Sequence, residues 1–121
     1  MQYMLLIHDD ENAYQRLGER ELTALHQEYG DLTAGLRESG AYVDGNQLQP
    51  TSTATSVQVR GTERIVTDGP FAETKEQLGG YYIVEAASLD EAIDHAARIP
   101  AARVGTIEVR PVVQVPARAE S

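Results

Sequence analysis

The sequence predicts an α+β fold of the ferredoxin-like, split βαβ type, in which an antiparallel sheet carries both helices on one face and has an extra β-hairpin. Residues 2–8 (QYMLLIH) and 79–87 (GGYYIVEAA) are apolar at both odd and even positions, which is typical of central strands. The whole chain follows the order strand, helix, strand, hairpin, strand, helix, strand, which is that fold with the hairpin inserted. A single domain over residues 1–113 is expected, followed by a tail at 114–121, since 121 residues support one core.

The longer helix is predicted for residues 19–39. Its apolar stripe repeats at steps of three and four residues: Leu22, Leu25, Tyr29, Leu32 and Leu36. Gly40 has the residue type expected just after a helix end. Gly30 and Gly35 each cost about 1 kcal/mol inside a helix relative to alanine. We therefore expect another part of the molecule to pack closely against those two turns.

The shorter elements have their own signals. A hairpin is predicted from residues 56–60 (SVQVR) and 63–67 (ERIVT), which a Gly-Thr turn joins. The second helix begins at the capping box Ser88-Leu-Asp-Glu91 and stops at Pro100, and His95 is expected on its outward face without a role. Residues 41–49 and 105–113 supply the remaining strands.

Charge and composition exclude several classes of function. The formal net charge is −9, Lys75 is the only lysine and no basic patch exists, so binding to nucleic acid or to an anionic membrane surface is disfavoured. The absence of cysteine excludes disulfides, thiolate metal sites and cysteine nucleophiles. No cofactor fingerprint is present, and the N-terminus lacks the pattern of a signal peptide, which predicts a cytoplasmic location.

A homodimer is expected from the two central strands. Because both are apolar on each side, the sheet face without helices needs a cover, and a second copy packed sheet to sheet supplies the simplest one.

The segment TDGPFAETKEQLGGYY (67–82) joins two predicted strands and carries a rigid Gly-Pro-Phe corner. Together with MQYMLLI and PAARVGTIEVRP, it resembles the DGPF branch of the YCII-related proteins over nearly the whole chain. This resemblance implies a dimeric α+β barrel and a cleft. It also implies two functions: small-molecule chemistry with a His/Asp pair, or a regulatory link to an extracytoplasmic-function sigma factor.

Asp68 is the acidic candidate for that pair. Pro70 stiffens the corner after the strand and so presents the Asp68 carboxylate, as a catalytic group requires. The alternative is that Asp68 bonds backbone N–H groups and only holds the loop. His26, on the flank of the long helix, and His8, at the end of the first strand, are the candidate bases. A hard cation at HDDE (8–11) is a weaker alternative, because adjacent side chains do not converge on one ion without help.

Four further residues are candidates for substrate binding. Arg60 and Arg110 lie near strand ends and could hold a carboxylate, or they could form ion pairs at the rim. Phe71 and Tyr82 could contact a substrate, although core packing explains both as well. These residues and the resemblance together leave two functions open. One is a cofactor-independent acid–base enzyme on a small anionic or lactone-like substrate. The alternative is a non-catalytic small-molecule-binding or regulatory partner protein linked to an extracytoplasmic-function sigma factor.

Overall fold

The computed structural model describes residues 1–115 and has the predicted α+β architecture. The strands are β1 (Gln2–Asp9), β2 (Tyr42–Gln47), β3 (Thr55–Arg60), β4 (Glu63–Asp68), β5 (Gln77–Glu85) and β6 (Thr106–Pro111). The helices are α1 (Glu11–Gln15), α2 (Glu19–Glu38) and α3 (Leu89–Ala97), with 3₁₀ turns at Thr51–Thr53 and Pro100–Arg103. Of the predicted tail, residues 116–121 lie outside the described residues.

Four strands form one antiparallel sheet in the order β2-β5-β1-β6. The two strands predicted to be central are β1 and β5, and they occupy the middle of the sheet. With the helical connections, this order is that of the ferredoxin-like fold. The prediction of the fold class is therefore confirmed.

One face of this sheet forms the core. Along β1, Tyr3, Leu5 and Ile7 are buried, while the residues between them, including Met4 and Leu6, are only half-buried. Burial of both faces was predicted, but a single chain buries one face fully. The other, which we call the open face, carries Met4 and Leu6 beside Tyr81 and Ile83 of β5.

Helix α2 has nearly the predicted bounds, and Gly40 follows it with φ of 81°, a conformation that glycine adopts without strain. Leu36 is buried, and Tyr29 and Leu32 pack against the core. The expected close packing at Gly30 and Gly35 is wrong: apart from the adjacent residues and the backbone of the helix itself, no atom of residues 1–115 lies within 4 Å of a Cβ built at either position. Within the described chain, these two glycines serve no packing requirement.

Helix α3 begins as predicted at Ser88, whose Oγ accepts from the N–H of Glu91 at 3.2 Å. The Glu91 carboxylate accepts from the Ala87 N–H at 2.7 Å, one residue before the cap. The prediction for His95 is wrong, because its side chain is buried. Its Nδ1 contacts the Arg98 guanidinium, and its Nε2 has no hydrogen-bond partner within residues 1–115. Burial, and then the Arg98 charge, lower the pKa of His95.

Strands β3 and β4 form the predicted hairpin as a separate two-stranded sheet, with Arg60 opposite Glu63 at its turn. All of β4 is exposed, as is all of β3 except Ser56. None of the helices found among residues 1–115 has the length and apolar character needed to cross a membrane.

Candidate functional site

The two residues proposed as a catalytic pair are not brought together. Asp68 is the last residue of β4 and is exposed, and His26 is exposed on α2. Within residues 1–115 neither side chain makes a hydrogen bond or an ion pair. The motif is fastened by its neighbours instead: the Gly69 N–H donates to the Ala54 carbonyl, and the Ser56 hydroxyl donates to the Gly69 carbonyl, both at 2.7 Å.

His8 lies on the open face and has a carboxylate partner. Its Nε2 is 3.3 Å from Glu108 Oε1, and Arg110 donates to the other oxygen of Glu108 at 2.7 Å. Arg110, followed by His8, lowers the pKa of Glu108. Arg110 therefore forms an ion pair with Glu108. Arg60 instead donates a hydrogen bond to the carbonyl of its neighbour Val59 at the hairpin turn.

The two aromatic candidates occupy opposite environments. Tyr82 is buried in the core, where its hydroxyl lies 2.9 Å from Thr33 Oγ1. Phe71 is 92% exposed, so its interpretation as a core residue under the loop is wrong for the single chain. Of the two, Phe71 alone can meet a ligand directly, since the Tyr82 ring is enclosed by the helices and the sheet.

The carboxylate with the most unusual surroundings is Asp9, at the carboxyl end of β1. It is 4% exposed, and it accepts a hydrogen bond from the Tyr14 phenol on α1. Asp10 caps α1 through a 2.9 Å bond from the Asn12 N–H, which begins the helix that carries Tyr14. The short helix thus returns the Tyr14 ring over Asp9.

Two glycines make room for Asp9. Gly79 lies at an irregularity in the pairing of β1 with β5, and a Cβ built there would be 3.3 Å from Asp9 Oδ1. A Cβ at Gly105 would be 2.2 Å from the His8 carbonyl oxygen and 2.9 Å from the Asp9 Cβ. Backbone therefore approaches Asp9 from β5 and from the residue before β6. At Gly105 only glycine permits this approach, whereas at Gly79 a side chain would displace the Asp9 carboxylate by a few tenths of an ångström.

The surroundings make Asp9 harder to ionise. Burial raises its pKa, the Tyr14 hydrogen bond opposes that rise, and the charges of Glu11, Glu76 and Asp10 add to it. Burial and the Asp9 carboxylate also raise the pKa of Tyr14, so the phenol keeps its proton. Tyr29 packs close to Tyr14, and burial raises its pKa to about 12. The site is therefore the Asp9 carboxyl group, hydrogen-bonded to the neutral Tyr14 phenol and surrounded by further carboxylates.

The four side chains of HDDE have separate partners. His8 contacts Glu108, Asp9 contacts Tyr14, and Asp10 caps α1. Glu11 accepts from the Thr51 N–H at 2.7 Å and from the Thr51 hydroxyl at 2.6 Å. Within residues 1–115, no three His, Asp or Glu groups are arranged to hold a metal ion. The metal alternative therefore has no structural support.

A groove of about 360 Å³ borders this site. Its lining is mainly apolar: Leu48, Pro50, Ala54, Pro70, Phe71, Ala72 and Leu78. Thr51, which Glu11 holds, and Gln77, which pairs with Asp9 across the sheet, also line it. Pro70 and Phe71 of the Gly-Pro-Phe corner therefore line the same groove as two residues that pair with the Asp9 region, although the Asp9 and Tyr14 side chains themselves do not line it.

Sequence reasoning considered HDDE only as a cation site or as a source of a base at His8, and it missed Asp9, Tyr14 and Tyr29. One signal was available: Asp9 has the same parity as Tyr3, Leu5 and Ile7, so a strand extended by one residue places it on the buried face. A carboxylate on a core face needs a partner. The return of Tyr14 depends on α1, which the sequence analysis did not predict.

Comparison with known proteins gives two matches. The family model described as the YCII-related domain matches residues 1–116. An uncharacterized protein of Rhizobium meliloti (strain 1021) is 37% identical over 114 residues, which cover 93% of this chain and 92% of that protein. Neither description states an activity.

Proposed function

The chain belongs to the YCII-related family, and from that premise we propose that it is an acid–base enzyme for a small organic molecule, with Asp9 as the proton-transfer group. The observation that carries this proposal is a buried carboxyl group whose pKa is raised and whose position is fixed by Tyr14. Ionisable groups perturbed in this way by burial and neighbouring charge concentrate at functional sites.

Asp9 would accept and return a proton, while Tyr14 orients the carboxyl group. A carboxyl pKa raised toward neutrality increases the fraction that is protonated and the strength of the conjugate base, which suits general acid–base catalysis. Tyr14 remains a hydrogen-bond donor throughout, since its own pKa is raised. The reaction class that this arrangement supports is proton transfer next to a carbonyl group, and it needs no cofactor.

The electrostatic field narrows the substrate class. Glu11, Glu76 and Asp10 all act on Asp9, and among residues 1–115 none of the groups that shift its pKa is basic. Arg60 and Arg110, expected to clamp an anion, bond elsewhere. A neutral, lactone-like substrate therefore fits the single-chain site better than an anionic one, and the apolar groove would hold its carbon skeleton.

The test compares wild-type protein with Asp9→Asn against a panel of small lactones and organic acids. Asparagine keeps the side-chain shape and can still accept from Tyr14, but it cannot exchange the proton. We expect a loss of at least about 100-fold in kcat, with ligand affinity changed only a few-fold. Turnover and binding are measured separately, by product formation and by ligand-observed NMR.

Asp10→Asn is the matched control, because it changes the adjacent carboxylate and asparagine is an equally good helix cap. Its turnover should stay within a few-fold of that of the wild type, because Asp10 has the smallest of the effects that raise the pKa of Asp9. If Asp9→Asn retained full kcat, Asp9 would not be the proton-transfer group.

A binding protein without catalysis is the second candidate, and the apolar, exposed Phe71 beside the groove favours it. Such a protein would bind panel members with no turnover, and Phe71→Ala would weaken binding whereas Asp9→Asn would not. Regulation of an extracytoplasmic-function sigma factor is one form of this candidate. It stays a prediction from the resemblance.

We also propose a homodimer through the open face, as the sequence predicts. The half-buried Met4, Leu6, Tyr81 and Ile83 form an apolar centre there that a second copy could cover. Sedimentation velocity should give at least twice the chain mass of 13.2 kDa. A monomer at millimolar concentration would remove this proposal.

Two finer assignments stay predictions. The segment TDGPFAETKEQLGGYY supports placement in the DGPF branch of the family, and the cytoplasmic location rests on the sequence alone.

A further inference from the structure

The hairpin of β3 and β4 exposes apolar side chains without having a core of its own. The two strands pair with each other and with no other strand in the described part of the chain. A two-stranded hairpin alone in water is marginally stable at best, and it gains stability when a face is covered. The hairpin therefore requires a surface that residues 1–115 of one chain do not supply.

The register of the hairpin defines the face that needs covering. Directly opposed residues point to the same side of a sheet, and Val57 is opposite Val66. We call this side the valine face, and its members are Thr55, Val57, Val59, Arg64, Val66 and Asp68. Val57, Val59 and Val66 are 58%, 61% and 57% exposed. The opposite side has one large apolar residue, Ile65, which is 36% exposed.

Opposite charges mark the two ends of the valine face. Arg64 lies toward the turn and Asp68 at the base, about 13 Å apart by strand rise, with Val66 midway between them. Both side chains are exposed, and neither has an ionic or hydrogen-bonded partner in the described part of the chain. This charge pattern is self-complementary. When two valine faces pack with their strands running in opposite directions, Arg64 of each copy lies opposite Asp68 of the other.

We propose that the valine face binds the valine face of a second copy about a two-fold axis at the Val57/Val66 pair. Each Arg64 then meets the partner's Asp68, as a contact between identical surfaces requires. Net charge also favours this segment for contact between copies. Residues 55–68 contain Arg60, Arg64, Glu63 and Asp68 and so carry no net charge, whereas the whole chain carries −9.

The proposed contact would place a residue of the second copy next to the groove. Ala54 precedes β3, Pro70 and Phe71 follow β4, and all three line the groove. An arginine bound at Asp68 therefore lies beside the groove mouth. The second copy contributes a cation that the acidic site of one chain lacks. This proposal goes beyond the catalytic one and does not depend on Asp9.

The absence of cysteine from the sequence permits a direct test. Val57→Cys lies next to the proposed axis, so mild oxidation should join two chains through the introduced thiols. Gln58→Cys is the matched control, since it is exposed on the same strand but on the opposite side. We expect Val57→Cys to cross-link at least about tenfold faster. Val66→Cys, at the same axis, replaces it if Val57→Cys does not fold.

Charge reversal then tests the predicted pairing. In the Val57→Cys protein, Asp68→Arg should slow cross-linking about fivefold or more, because it sets arginine against arginine. Adding Arg64→Asp restores the opposite charges with their places exchanged, and the rate should return to within about twofold. Equal rates for the Val57 and Gln58 variants, or no recovery in the double reversal, would overturn the proposal. Neither measurement depends on enzymatic activity, so failure here leaves the proposal for Asp9 intact.

Discussion

Gly105→Ala is expected to destabilise the protein by about 3 kcal/mol or more, which is among the largest effects of a single methyl group. The added Cβ would lie 2.2 Å from the His8 carbonyl oxygen and 3.1 Å from the Asp9 Cα. Both are backbone atoms in the central strand β1, so no side-chain rotation relieves the overlap. Urea denaturation followed by circular dichroism measures the change in the free energy of unfolding.

Gly30→Ala supplies the opposite control. It adds the same methyl group in the middle of α2, where no atom of residues 1–115 outside the helix itself lies within 4 Å. Alanine favours a helix over glycine by about 1 kcal/mol, so this variant should be more stable than the wild type. If Gly105→Ala unfolded at the same urea concentration as the wild type, the close approach of β1 to Gly105 would be wrong.

Tyr14→Phe and Asp9→Asn should change stability in opposite directions at pH 7. Phenylalanine removes the donor and leaves a buried carboxylate without its hydrogen bond, which costs about 1 to 3 kcal/mol. Asparagine keeps an acceptor for Tyr14 but removes the buried charge, and it should stabilise the fold by about 1 kcal/mol. Comparing the two variants separates the free-energy cost of burying the Asp9 charge from the stabilisation that the Tyr14 hydrogen bond provides.

The pH dependence of Asp9→Asn follows from the raised pKa of Asp9. Between the unfolded value of 3.8 and the higher folded value, the folded state binds more protons than the unfolded state. The contribution of Asp9 to stability therefore falls as pH rises through that window. The stability advantage of Asp9→Asn should be smallest at pH 3.5 and should grow to a plateau above the folded pKa. An advantage independent of pH would mean that the folded pKa of Asp9 is not raised.

The fold was predictable because its signals are local. The stripe from Leu22 to Leu36, the Ser88 cap and the β-branched hairpin each determine an element through neighbouring residues. The order of those elements along the chain then pointed to one common sheet arrangement, that of the ferredoxin-like fold. Three errors depend on neighbours in space: the environment of Gly30 and Gly35, the burial of His95 and the exposure of Phe71. A fourth concerns a whole element, because the short helix α1 was not predicted.

The candidate site was less predictable. The sequence drew attention to Asp68, because a rigid corner is visible in a linear motif. Asp9 looked like one of several solvated acids, although its parity in β1 pointed to the core. The groove joins the two observations, since Pro70 and Phe71 of the DGPF corner line it together with Gln77, which pairs with Asp9 across the sheet.

The sequence by itself determined the class of fold, the two central strands, the hairpin and the acidic charge that disfavours nucleic acid. Periodicity, capping and net charge are properties of the chain before it folds. Only the tertiary structure decided which carboxylate is buried. Gly79 and Gly105 approach Asp9 from 70 or more residues away in the sequence, and Tyr14 reaches it from the short helix that follows β1. Desolvation, which raises the pKa of Asp9, exists only once those groups have excluded water.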